Sequence, residues 1–124
     1  MCAKKRKNKV IIQLSPDERT ALWIYLDLIS FVNDSCYPNV DEASLSFLRD
    51  TLNYIDGDPR TLGIEMSSRD HRICCIALTF ANRYFEGQRD CFITHIDSDF
   101  EQDLLQHQEF LPSLNELFFG KSSL

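Results

Sequence analysis

The stretch SPDERTALWIYLDLISFVN, residues 15 to 33, constrains this chain more than any other. Ser15, Pro16, Asp17 and Glu18 spell a helix start. The serine oxygen can accept from a backbone N–H of the first turn, and the proline loses nothing there by lacking its own. The two acids oppose the positive end of the helix dipole, with Ser15 and Glu18 at capping-box spacing. The helix predicted from Pro16 to about Asn33 then carries apolar residues almost without a break from Ala21 to Val32. A helix that is apolar on most sides belongs at the centre of a domain or against another subunit.

A second helix of this kind is predicted from Ser67 or Ser68 to Glu86, with Asp70 in the capping place relative to Ser67 and Gly87 as its stop. Its apolar residues, from Ile73 through Cys74 and Cys75 to Phe85, again run nearly all the way round. Between the two, Val40 to Ile55 reads as an ordinary amphipathic helix. Leu45, Leu48, Leu52 and Ile55 recur at spacings of three and four, and Asp41, Glu42, Arg49, Asp50 and Asn53 are left for water. Residues 88 to 111 have mostly helical apolar offsets, with a restart at Ser98 and Glu101, and Pro112 is expected to end that element. SLNELFFG, residues 113 to 120, supplies a short last helix capped by Ser113 and Glu116 and stopped by Gly120.

These elements predict an all-α fold, a compact bundle of four to five helices with a short N-terminal strand at VIIQL. The alternative is an α+β fold with short strands at 10–14, 62–66 and 91–96. Four glycines and four prolines in 124 residues are few for a chain built on tight turns, which favours the helical reading. No internal repeat is legible. A single helical domain is expected over residues 10–124, after a disordered basic tail at 1–9.

That tail holds Lys4, Lys5, Arg6, Lys7 and Lys9, five of the 13 basic residues, so eight positive charges face 19 negative ones in the rest of the chain, a net of −11. A strongly acidic body does not dock on phosphates, so nucleic acid is expected as a partner only through the tail. No apolar run approaches the roughly 20 residues that a membrane span needs. No secretory signal is legible behind the basic start, so a cytoplasmic protein with free thiols is expected, without membrane contact.

Two pairs at i,i+4 spacing, His71 with Cys75 and Cys91 with His95, resemble a Cys2His2 zinc set on paper. If the chain turned back at Gly87 into an antiparallel helix, His95 would lie level with residue 80, nine residues from His71. At about 1.5 Å per residue that is about 13 Å along the axis, whereas two ligands of one zinc lie within about 4 Å of each other. The cysteines are therefore expected to act as small core hydrophobes, and neither a metal nor another cofactor is expected. The same level-matching sets His71 beside Asp103 and His107, a carboxylate–imidazole cluster that would suit a metal or acid/base chemistry. The acidic run DSDFEQD lacks the glycine and glutamate of a calcium loop.

The positive clue is apolar surplus. Leu114, Leu117, Phe118 and Phe119 form either a lid on the core or an anchor in a partner's groove. The expected function is a small acidic regulatory module, a homodimer, that occupies a surface on a protein partner. One alternative is an inhibitor that imitates nucleic acid to block a nucleic-acid-binding protein, as a phage counter-defence factor would. The other is an enzyme using His71, Asp103 and His107.

Overall fold

The computed structural model describes residues 9–32, 40, 42–87 and 96–120. Of these, 71% are helical. Strand β1 spans Lys9–Leu14, and helix α1 spans Pro16–Leu28 with a 3-10 turn at Ile29–Phe31. Helix α2 spans Glu42–Tyr54, strand β2 Leu62–Ser67 and helix α3 Ser68–Phe85. Helix α4 spans Ser98–Gln106, followed by a 3-10 turn at Gln108–Phe110 and by helix α5 at Leu111–Phe119.

β1 and β2 pair antiparallel, with Val10 opposite Met66, Ile12 opposite Ile64 and Leu14 opposite Leu62. Partners across a strand pair share a face, so these six residues line the inner side while Lys9, Ile11, Gln13 and Glu65 turn outward. Two of the three strands of the α+β alternative are thus formed, and the bundle is not purely α. The third, at 91–96, lies outside the described residues except for Ile96. So does the basic tail, apart from Lys9, which opens β1.

Both long helices leave their strands through a serine cap. Ser15 Oγ accepts from Glu18 N at 3.2 Å, and Glu18 Oε1 accepts from Ser15 N at 3.0 Å, completing the capping box. Ser67 Oγ accepts from Asp70 N at 3.1 Å. Ser15 and Ser67 are 52 positions apart, and so are Ile12 and Ile64, the pair opposite one another in the register. An antiparallel register centred on equivalent residues relates the two strand–cap–helix units by a local two-fold. Ala21, Leu22, Tyr25, Leu26 and Ile29 are buried in the first helical segment, as are Ile73, Cys74, Ala77, Leu78 and Ala81, each 52 positions later, in α3. This duplication is structural. The two segments differ in sequence enough that no repeat is legible.

α1 and α3 pack against each other, and the chain itself covers them. α1 touches β1, α2, α4 and α5, while α3 touches both strands, α2 and α5. Their all-round apolar character follows from that central position. The surplus that pointed to a second subunit is largely absorbed within one chain.

The last two helices depart from the sequence reading. Asp97, not Ser98, caps α4, its Oδ1 accepting from Phe100 N at 2.8 Å. Pro112 lies in the first turn of α5 instead of closing the preceding element, since proline is as acceptable at a helix start as after a helix end. Ser113 is then inside the helix, where its hydroxyl donates to Glu18 Oε2. The expected Ser113–Glu116 cap is not used.

Candidate functional site

His71 stands in the first turn of α3, with its ring 5.3 Å from that of Phe118 and its Nδ1 3.9 Å from Cys75 Sγ. The i,i+4 spacing brings imidazole and thiol together, as expected. A nucleophilic pair needs thiolate, and burial pushes the Cys75 thiol up instead. Cys74 is fully buried, and its thiol is pushed up further, by burial first and then by Cys75 and Asp70. Cys74 behaves as a core hydrophobe. Cys91 and His95, the other half of the zinc pattern, lie outside the described residues.

The carboxylate–imidazole cluster is not assembled. An antiparallel hairpin at Gly87 would lay the next helix along α3, but the helix that meets His71 is α5. His107 closes α4, its Nδ1 3.0 Å from the Asp103 carbonyl and its ring beside Phe110, while its own carbonyl accepts from Tyr25 Oη at 2.8 Å. Among the described residues, no three His, Cys, Asp or Glu side chains form a group able to hold a metal.

Of the C-terminal quartet, Leu114 and Phe118 are buried, Leu117 is partly buried and Phe119 is exposed. α5 is fastened by polar contacts as well. The amides of Asn82 and Asn115 donate to each other, both at 2.9 Å, and Ser113 reaches Glu18 in α1.

No family model, curated protein or solved structure matches this chain. A functional reading therefore rests on its own surface.

Among the described residues, that surface carries five large apolar side chains: Ile11, Phe47, Tyr54, Leu105 and Phe119. Phe47 and Tyr54 are the most informative, at 63% and 89% exposure on one helix. Helical spacing alone does not single them out, because Leu45, Leu48 and Leu52 already give α2 a complete core stripe. The signal that could have found them is their place on the opposite side of that helix. Phe47, Ala43 and Ser44 form one wall of an open groove of about 520 Å³, whose other wall is Ser67 to Asp70 at the start of α3.

A smaller cleft of about 270 Å³ lies between α1 and α2, lined by Arg19, Thr20, Trp23, Leu52, Asn53 and Asp56. The Trp23 indole N–H is buried without a hydrogen-bond partner among the described residues. Arg49, expected to face water, lies 5.3 Å over the Trp23 ring and pairs with Asp27 at 3.1 Å. Arg19, unremarked in the sequence, is buried. It donates to the carbonyls of Leu14 at 3.1 Å, Arg60 at 2.7 Å and Asp58 at 2.5 Å, tying α1 to the segment that leads into β2. No helix among the described residues is long and apolar enough to cross a membrane.

Proposed function

We propose that this chain is an acidic protein-binding module of the cytoplasm, which regulates a macromolecular partner by occupying part of its surface. The observation that carries the reading is the exposure of Ile11, Phe47, Tyr54, Leu105 and Phe119 on a chain whose central helices are already covered. Of these, Phe47 and Tyr54 stand on one side of α2, and large apolar side chains gathered in water beside a finished core are characteristic of interaction surfaces. Leu114 and Phe118 are engaged in the core, so the C-terminal helix offers a partner chiefly Phe119 and the partly buried Leu117.

The net charge of −11 outside the first nine residues favours a second reading, an inhibitor that presents carboxylates in place of a nucleic-acid backbone. One experiment separates the two. The tagged chain is incubated with extract of its native host and washed at rising salt. An apolar contact survives about 0.5 M salt, whereas exposed charge pairs are screened within a few ångströms there. A stoichiometric protein retained at high salt supports the module, and one released by moderate salt supports the mimic. A chain that retains nothing at any salt refutes both. Sedimentation equilibrium measures separately whether a second copy takes any of the five side chains.

A further inference from the structure

α2 has two apolar sides, and the fold uses one of them. At 100° per residue, Ala43, Phe47, Asp50 and Tyr54, at steps of four, three and four, fall on a single stripe. That stripe lies opposite Leu45, Leu48 and Leu52, which are buried in the core. All four of its residues are exposed, and Phe47 continues it into the groove at the start of α3. Anchors at such spacing are what a partner helix reads when two helices pack side by side.

The charges say which helix. If a second copy of the chain covered this face, two α2 helices would run antiparallel about a two-fold axis, with Phe47 of each against Tyr54 of the other. The centre of that pairing falls between positions 50 and 51, so the two Asp50 carboxylates would be driven together between four aromatic rings. Like charges brought together as water leaves oppose association, and the −11 net charge of each body adds repulsion at longer range. A helix carrying Lys or Arg where it meets Asp50, and apolar side chains where it meets Phe47 and Tyr54, removes both objections. We infer, building on the protein-binding reading above, that the Ala43, Phe47, Asp50 and Tyr54 face docks a basic amphipathic helix of another protein. The two rings supply the buried area, and Asp50 selects the sign of the partner's charge.

The probe is a fluorescent synthetic helix of about 18 residues, with leucine at i, i+3, i+4, i+7 spacing and lysine elsewhere. A twin carries glutamate in place of lysine. Both are titrated with the full chain by fluorescence anisotropy. The lysine peptide is expected to bind at least about tenfold more tightly than its twin, and the Phe47→Ser, Tyr54→Ser double variant to lose at least about tenfold of that affinity. Asp50→Lys is expected to weaken the lysine peptide and strengthen the glutamate peptide. The three positions are exposed, so the variants should fold, and far-UV circular dichroism checks that they do.

Failure of the lysine peptide to bind overturns the inference. Equal binding to the double variant does so too, because attraction to the acidic body alone would explain it. A dimer that sediments in the wild type and disappears in the double variant assigns the face to a second copy and also overturns it. The broader reading fails separately. If the chain retains a host partner equally well with and without Phe47 and Tyr54, the module stands and this face is the wrong one. If the chain retains no partner at all, the module itself falls.

Discussion

Replacing Arg19 with methionine tests the least expected feature of the interior. Arg19 is 3% exposed and donates to three backbone carbonyls, those of Leu14, Asp58 and Arg60. Hydrogen bonds from a charged donor contribute about 1.5 to 3 kcal/mol each, so the gross loss is roughly 4 to 9 kcal/mol. Three effects reduce it. The carbonyls of Asp58 and Arg60 are only part-buried and can rehydrate, methionine keeps much of the packing of the arginine stem, and the guanidinium no longer has to leave water. The net loss should be about 3 kcal/mol, a large share of the roughly 5 to 15 kcal/mol that holds a domain of this kind. With a urea slope of about 1.5 kcal/mol per molar, the midpoint should fall by about 2 M.

The assay is urea unfolding followed by fluorescence of Trp23, the only tryptophan, and by far-UV circular dichroism. Arg60→Met is the control. Its guanidinium pairs with Asp58 at 2.7 Å from a side chain that is 73% exposed, and the midpoint should move by no more than about 0.3 M. If Arg19→Met moves the midpoint by less than about 0.5 M, the carbonyl network does not hold α1 to the segment before β2, and the reasoning fails.

Two further changes probe how the C-terminal helices are fastened. In a double-mutant cycle, Asn82→Ala and Asn115→Ala should show a coupling of about 1 kcal/mol in urea midpoints, and strictly additive losses would mean that the paired amides do not act as a clamp. Burial raises the Tyr25 hydroxyl above the usual tyrosine range, so the contribution of its neutral form is fully present below the unfolded value of about 10 and is lost progressively as pH rises from there through the higher folded value. Tyr25→Phe should cost about 1 kcal/mol at neutral pH through the lost bond to the His107 carbonyl, yet lose less stability than the wild type above about pH 10. Parallel alkaline curves for the two proteins would refute this.

What the sequence settled by itself is local in origin. The start of α1 is legible because Ser15 and Glu18 answer each other three residues apart. The start of α3 is legible in Ser67, whose side chain accepts from the backbone of Asp70 three residues on, and the inner stripe of α2 follows from helical spacing alone. The strands are a different case. VIIQL reads as a short strand or as the lead-in to a helix, and LGIEM as a strand only in the α+β alternative, because the partner that makes either one a strand is 52 residues away and nothing in five residues names it.

The same distance explains the other corrections. Pro112 reads as an end or a beginning with equal ease, and only the position of Leu111 and Leu114 in the core decides for a beginning. Ser113 has an acid three residues ahead, yet its partner is Glu18, 95 positions earlier in the chain. Nothing in the sequence around Arg19 marks it as buried, because the three carbonyls that hold it come from two other segments. A hairpin at Gly87 would set His71 against α4, whereas α5 occupies that place.

The apolar faces of α1 and α3 are largely covered by packing within the chain, and Phe47 and Tyr54 on α2 are among the large apolar side chains left exposed. Caps and stripes are set by neighbours within a few residues, so composition and spacing suffice for them. Which apolar face is left in water depends on what every other element has already covered, and that is decided only when the whole chain has closed on itself.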